Sequence, residues 1–168
     1  MKFNLTKYLF TVLCISTIGC TKTNEEKDDK DYAEAIVFGR FISPGCFDSE
    51  FCVEIFKMDK NGLKEDTNDN FPDNSGYYNG NFAIALSQSD YSSIESLLRS
   101  NIPDELLQLN SGYVGSFPSW NTNNYYFEYK SSSIHKYWII DGSFDGSLGS
   151  TLQNFIQQIQ ESVNIASN

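Results

Sequence analysis

The sequence offers few side chains for catalytic chemistry: one histidine, four cysteines and 22 acidic residues among 168 positions. His135 is the only imidazole, so any Ser-His-Asp or Cys-His site would need it as the general base. It lies in SIHKYWII, whose composition is typical of a strand. A single histidine in a strand usually packs or faces solvent, so we expect no nucleophilic catalysis.

Paired carboxylates are the other catalytic candidate, because two of them about 5 to 10 Å apart can hydrolyse a glycosidic bond. With 22 acidic residues, some pair lies close together in any fold, and nothing in the sequence marks one pair as buried. We therefore expect no enzymatic activity and keep a two-carboxylate hydrolase as an alternative. Its candidate residues are Asp48, Glu50, Glu54, Asp73, Glu128, Asp141 and Asp145.

A calcium loop is only partly matched. Asp66, Asn68 and Asn70 present the alternating oxygen ligands with which such a loop begins. The sixth position should be glycine and is Phe71, and the twelfth is Tyr77 rather than glutamate. The segment therefore predicts a solvated loop, and we expect no metal and no cofactor.

Aromatic residues in loops rich in Gly, Ser and Asn are the best candidates for a binding function. Such rings stack on sugars or anchor a protein partner. The alternative is that they fold back onto the core beneath long loops. We predict a ligand face centred on Trp120 and formed by Tyr77, Tyr78, Tyr113, Phe117 and Trp120.

Short apolar segments bounded by turn signals predict the strands that position these loops, at 35–43, 51–58, 63–65, 82–86, 125–130 and 134–141. Helical spacing predicts helices at 87–99 and from Ser150 onward, each begun by a capping box, with one more short turn at 103–109. The order is β-β-β-β-α-β-β-α. Because tight turns join most neighbours, we predict a single α+β domain at 35–168, with a mainly antiparallel sheet of about six strands and two helices on one face.

The first twenty residues have the pattern of an export signal. Lys2 and Lys7 flank the start of an apolar run of eleven residues, YLFTVLCISTI, which is too short to span a bilayer and suits a secretory signal. The run ends in TIGC, which resembles the lipobox of bacterial lipoproteins, although Thr17 stands where that pattern usually has Leu. The resemblance implies cleavage after Gly19 and a lipid on Cys20.

Residues 20–34 are predicted to be an acidic flexible tether, because they contain too few large apolar residues to support a core. Two or more acyl chains anchor a protein stably, so the tether would join the outer membrane to the domain. Its run EEKDDKD also resembles an acidic export signal of one Gram-negative phylum, which implies exposure at the cell surface. The alternatives are a tether that stays beneath the membrane and secretion without a lipid.

Composition restricts the partners of this domain. Removal of residues 1–19 would leave 149 residues, enough for one domain with a substantial core. The two lysines of the signal are its only charges, so ten basic and 22 acidic residues would remain, a formal net charge of −12. This surface repels phosphate backbones and no basic cluster in the sequence offsets it, so we expect no nucleic-acid partner. The oligomeric state stays open.

Two of the four cysteines would remain in the folded domain, because Cys14 leaves with the signal and Cys20 is acylated. Cys46 and Cys52, spaced C-x5-C, predict a local disulfide in an oxidising compartment. The chain-entropy model gives about 2 to 2.5 kcal/mol of stabilisation for so short a loop. Free thiols are the alternative, and a metal site would need further ligands.

The segments GCFDSEFCVEIFK, NIPDELL and YWIID resemble a family of uncharacterised bacterial envelope lipoproteins, over residues 38 to about 160. Members often carry further cysteines near VGSFPSW, and this chain has none there. The resemblance implies an envelope location and one domain, but no reaction. We therefore expect a lipid-anchored envelope protein that binds a protein or glycan without catalysis. The alternatives are the hydrolase and an envelope inhibitor or immunity-type protein.

Acylation of Cys20 is directly testable. The full chain, expressed in its host with labelled palmitate, should carry label in the membrane fraction, because only an acylated Cys20 offers a stable anchor. Cys20→Ser should carry none, whereas Cys14→Ser, the matched control within the signal, should be labelled like the wild type. Equal labelling of the wild type and Cys20→Ser would contradict the lipobox assignment.

Overall fold

The described part of the chain contains seven strands and three helices. The computed structural model describes residues 33–42, 52–73, 75–115, 123–142 and 149–168. The strands are β1 (Ala35–Ile42), β2 (Val53–Asp59), β3 (Gly62–Asp66), β4 (Phe82–Ala85), β5 (Gly112–Val114), β6 (Asn123–Lys130) and β7 (His135–Asp141). The helices are α1 (Gln88–Leu98), α2 (Asp104–Gln108) and α3 (Ser150–Ala166).

All seven strands form one sheet, in the order β4-β3-β2-β1-β6-β7-β5. β1 lies at its centre because it pairs antiparallel with both β2 and β6. A tight turn joins β2 to β3, where Asp59 pairs with Gly62. Gly62 has a φ of +117°, a conformation that glycine adopts without steric cost. The sheet is antiparallel except at one edge, where β5 pairs in parallel with β7.

One face of the sheet packs against all three helices, as an α+β fold predicts. Ile94 of α1, Leu106 of α2 and Phe155 of α3 belong to the same buried cluster. Phe155 meets Phe127 edge-on, with ring centroids 4.9 Å apart. Each fully buried side chain of this kind contributes about 1.5 to 3 kcal/mol. The strands add Ile36, Phe38, Phe56, Met58, Leu63, Phe127, Trp138 and Ile140.

The opposite face of the sheet is also apolar, and a loop covers part of it. Tyr78, from the loop between β3 and β4, and Phe82, at the start of β4, pack against this second cluster. Gly39 in β1 leaves space for it, because a Cβ there would lie 2.5 Å from Ile55 Cδ1. The buried members are Val37, Phe41, Cys52, Val53, Ile55, Tyr126, Tyr137 and Ile139.

The elements differ from the sequence prediction in number. The sheet has seven described strands rather than six, because β5 lies in the segment predicted as a loop. A strand of three residues shows no periodicity, and its pairing with β7 is a tertiary contact. The short turn predicted at 103–109 is α2, so three helices rather than two pack on the sheet.

The two predicted capping boxes have different outcomes. Ser87 caps α1 as predicted, and its Oγ accepts a hydrogen bond from Asp90 N at 3.2 Å. The box predicted at Ser150 is wrong, because Gly149 is the N-cap and Ser150 is already helical. The Gly149 carbonyl accepts from Gln153 N at 3.1 Å, which starts the helix without a side-chain cap.

Several predictions fall at or beyond the limits of the described residues. Ala33 is buried and Glu34 N donates to Lys130 O at 2.7 Å, so the packed chain includes the end of the predicted tether. Cys52 is disulfide-bonded, but Cys46 lies outside the described residues and the pairing stays a prediction. The signal, Cys20, Asp48, Glu50, Phe117, Trp120 and Asp145 also lie outside them.

Within the described ranges, no helix is long and apolar enough to cross a membrane.

Glu65 on β3 makes the stability of the fold depend on pH, in a direction that follows from the surroundings of its carboxyl. Burial raises the pKa of its carboxyl, and the carboxylates of Asp69, Glu54 and Asp66 raise it further. When the folded-state pKa is raised, the carboxyl's contribution to stability is fully present below its unfolded pKa. That contribution is lost as the pH rises through the folded pKa. At neutral pH the folded protein therefore bears the cost of ionising Glu65.

We predict that Glu65→Gln raises the melting temperature at pH 7, because glutamine has no charge to desolvate. The gain should disappear as the pH falls toward about 4, where glutamate itself is protonated. Thermal unfolding across this pH range measures both effects. Glu161→Gln, which removes one charge from an exposed position on α3, is the matched control. A gain that is equal at both pH values would show that ionisation of Glu65 is not its cause.

Candidate functional site

The loop of residues 67–81 is closed by a buried carboxylate at the end of β3. Asp66 is 3% exposed and accepts hydrogen bonds from Tyr78 Oη at 2.7 Å and from Asp69 N at 3.1 Å. It also accepts from Asn81 N, next to the start of β4. One carboxylate thus holds the first turn, the middle and the end of the same loop.

The ends of the loop are joined by further hydrogen bonds. Thr67 N and Thr67 Oγ1 each donate to Asn81 O at 3.1 Å, and Asn81 Nδ2 donates to Thr67 Oγ1 at 2.9 Å. Gly80 is required beside them, because a Cβ at this position would lie 2.6 Å from Asp66 Oδ1. The loop therefore has fixed ends although its composition is polar.

Tyr78 joins this polar network to the sheet. Its ring lies 5.7 Å from that of Tyr126 and 6.1 Å from that of Phe82, centroid to centroid. Its backbone N–H donates to Tyr126 Oη at 2.9 Å and to Glu128 Oε2 at 3.2 Å. Burial and the hydrogen bond to Asp66 raise the pKa of Tyr78 strongly, so its hydroxyl keeps its proton and acts as a donor.

Glu128 on β6 orients His135 on β7. Glu128 is 8% exposed and lies 2.8 Å from His135 Nε2, and it also accepts from Tyr126 Oη at 2.7 Å. The ring of Tyr77 stacks on His135 with a centroid distance of 3.6 Å and an angle of 7° between the planes. Tyr77 Oη donates to His135 O at 2.8 Å, so both ends of its side chain are held.

Three exposed aromatic rings form what we call the tyrosine surface: Phe71, Tyr77 and Tyr113. They are 42%, 48% and 38% exposed, respectively. Tyr113 is the register partner of Ile139, so it lies on the loop-covered face with Tyr137. The pKa of Tyr137 is raised by burial and then by Asp73, Tyr77 and Tyr113, which agrees with a shared location.

A small cleft opens within the loop beside Tyr77. Its volume is about 210 Å³, below the roughly 300 to 1,000 Å³ of sites for drug-sized ligands. Rings form part of the wall and polar side chains the rest, a combination that suits one sugar ring or one partner side chain. The lining includes Asn70, Phe71, Asp73, Tyr77, Tyr78 and Asn79.

The predicted ligand face is therefore resolved into residues with different roles. Tyr77 and Tyr113 are exposed, whereas Tyr78 packs against the sheet and closes the loop. Phe117 and Trp120 lie outside the described residues. Sequence reasoning missed Phe71, although NDNFPDN has the same loop composition as the segments that it selected. It also missed the supporting contact between His135 and Glu128, which joins two strands.

The carboxylates considered for catalysis are engaged in structural contacts where the structure describes them. Glu54 pairs with Arg40, Asp73 accepts from Ser75 N at 2.8 Å, and Glu128 holds the contacts given above. Asp141 is 5% exposed. Among the described residues, no three His, Cys, Asp or Glu side chains are grouped so that they could hold a metal ion.

Comparison with protein-family models gave no match, and comparison with curated proteins gave none either. The lipobox and the likeness to envelope lipoproteins therefore remain predictions from sequence.

The hydroxyl of Tyr78 should contribute more to stability than that of its neighbour Tyr77. Tyr78→Phe removes a donor to the buried Asp66 and should cost about 1.5 to 3 kcal/mol, the range for hydrogen bonds to charged groups. Tyr77→Phe removes an exposed bond to a carbonyl and should cost less than about 1 kcal/mol. Urea unfolding of both variants measures the difference. Equal losses would show that Asp66 does not depend on Tyr78.

Proposed function

We propose that this protein is a lipid-anchored lipoprotein of the bacterial envelope, exposed at the cell surface, whose domain binds a protein or a glycan without catalysing a reaction. The signal pattern and Cys20 support the anchor. The acidic run that follows supports surface exposure. The tyrosine surface supports binding.

The observation that carries the binding proposal is the fixed position of an exposed ring. Tyr77 is 48% exposed although its ring stacks on His135 and its hydroxyl is hydrogen-bonded. A side chain that is already ordered loses little conformational entropy when a ligand binds, so more of the contact energy appears as affinity. An aromatic residue that served only to fill the core would have its ring buried rather than exposed.

The polar residues around Tyr77 favour a ligand with hydroxyl or amide groups. Asn70 and Asn79 line the cleft together with the carboxylate of Asp73. Sugar rings present an apolar face for stacking and hydroxyls for such partners, and tyrosine side chains of a partner protein present the same combination. Both ligand classes therefore belong to the proposal.

The proposal predicts that Tyr77→Ala weakens ligand capture about thirtyfold, as for an anchoring aromatic residue worth about 2 kcal/mol. The melting temperature should change little, because nearly half of the residue is exposed. Tyr113→Ala should also weaken capture. Binding is measured by a glycan array and by pull-down from envelope extract, followed by titration with the captured ligand.

Ile84→Ala is the matched control, because Ile84 is an exposed large residue on β4 (49%). Its register partner is Glu65, which places it on the helix-covered face, away from the tyrosine surface. Full capture by Tyr77→Ala would contradict the proposed surface. Trp120→Ala tests the predicted centre of the face: lost capture at an unchanged melting temperature supports it, and a large fall in melting temperature shows that Trp120 is packing.

A further inference from the structure

A second, larger cleft lies where the described chain begins. Its volume is about 600 Å³, within the range of small-molecule sites. Residues from the start of β1, the turn between β2 and β3, the end of β6 and α1 contribute to its wall. We call it the basic cleft, and its charged lining residues are Glu34, Lys57, Asp59, Lys60, Arg99 and Lys130.

The fold gathers cations here in a protein whose formal net charge is −10. Four of the seven described Lys and Arg residues line this cleft, and two of its lining residues are acidic. The local balance is therefore positive, although no basic run exists in the sequence. The seven are Arg40, Lys57, Lys60, Lys64, Arg99, Lys130 and Lys136.

Two of the four cations already form ion pairs or hydrogen bonds with other residues of the protein. Lys57 Nζ lies 3.4 Å from Asp59 Oδ2. Arg99 Nη1 donates to Ala33 O at 2.8 Å, and Arg99 Nε lies 3.2 Å from Glu95 Oε1. These contacts hold the Arg99 guanidinium in place at the cleft wall, so little side-chain entropy would be lost when it met a ligand.

The other two cations have no such partner. No carboxylate among the described residues lies within ion-pair distance of Lys60 or Lys130. Lys60 is in the turn after β2, and Lys130 ends β6, next to Ala35 in the register of the sheet. Two ammonium groups without an acidic partner among the described residues therefore line the same cleft as an immobilised guanidinium, an arrangement that suits an anion with several acceptor oxygens.

We propose that the basic cleft binds a phosphate group. Phosphate has more charge and more acceptor oxygens than a carboxylate, so it can use the Arg99 guanidinium and the two lysines together. The source is either a phosphate-bearing lipid headgroup or free phosphate. The headgroup source rests on the lipid anchor proposed above, whereas the phosphate site itself does not.

The position of the cleft favours the headgroup source. Ala33, in its wall, is thirteen residues after Cys20, and thirteen residues extend to at most roughly 43 to 47 Å. A domain on so short a tether stays within reach of headgroups. Lysine and arginine near an anionic membrane surface are attracted to it.

The test uses the full-length chain with Cys20→Ser, so that no acyl group is present, in neutral detergent. Titration with inorganic phosphate should give saturable shifts in the NMR signals of the Ala35, Asn61 and Arg99 amides. Lys60→Gln and Lys130→Gln should each bind phosphate about fivefold more weakly, the effect of removing one nearby charge from a partly solvated site. Higher ionic strength should also weaken phosphate binding, because salt screens the attraction between the lysines and the anion.

Lys64→Gln is the matched control, because it removes one positive charge from β3 outside the cleft. It should weaken phosphate binding less than Lys60→Gln does, because Lys64 only adjoins the cleft residue Lys57 across the strands. Tyr77→Ala should leave phosphate affinity unchanged, which separates this result from the fate of the proposed ligand surface. Absence of saturable shifts, or equal weakening by Lys64→Gln and Lys60→Gln, would overturn the phosphate site.

Vesicle co-sedimentation distinguishes the two sources. The same chain is mixed with phosphatidylcholine vesicles that contain or lack phosphatidic acid, and the phosphatidylcholine sample corrects for insertion of the apolar signal. Binding that increases with phosphatidic acid and is reduced by Lys60→Gln supports the headgroup. Phosphate binding in solution without a preference for these vesicles supports the phosphate site with free phosphate as its source.

Discussion

The hydrogen bonds of one buried carboxylate, Asp66, support the whole loop-covered side of the domain. The sheet is apolar on both faces, and the three helices given above pack on one of them. A polar loop can cover part of the other only if its backbone groups find partners, because an unpaired buried group costs about 1 to 3 kcal/mol. Asp66 meets this requirement by accepting from two backbone N–H groups and from Tyr78.

The exposed ring of Tyr77 depends on this arrangement through a continuous series of contacts. Asp66 holds the Tyr78 hydroxyl, the Tyr78 backbone donates to Tyr126 and Glu128, and Glu128 contacts His135. Tyr77 then stacks on His135. Buried polar networks are favourable only when every member has its partners, so a change at Asp66 should alter the position of a ring that it never touches.

Sequence patterns predicted those parts of the fold that depend on neighbouring residues. The short apolar run in AIVFGRFI and the apolar stripe of α3 predicted the strand and the helix correctly. β5 was missed because three residues carry no period and its pairing with β7 is a tertiary contact. In the same way, Tyr77 and Tyr78 are adjacent and look alike in the sequence. Only the folded structure shows that Tyr77 is exposed and that Tyr78 packs against the sheet.

The basic cleft is another feature that local sequence patterns could not predict, because the fold brings its charges together. Its cations come from β2, the turn after it, the end of β6 and the residue that follows α1, so they do not form one basic cluster in the sequence. Register also places His135, on which Tyr77 stacks, at the same end of the sheet as the basic cleft. Ala35 pairs with Lys130 and Lys130 pairs with His135, so the basic cleft and the ring that stacks on His135 flank the same row of residues. Ala33 lies in the wall of the basic cleft, so the proposed tether would join the domain near this cleft and near the Tyr77 ring. For a lipid-anchored protein, the length of the tether would then determine how close a membrane lies to both sites.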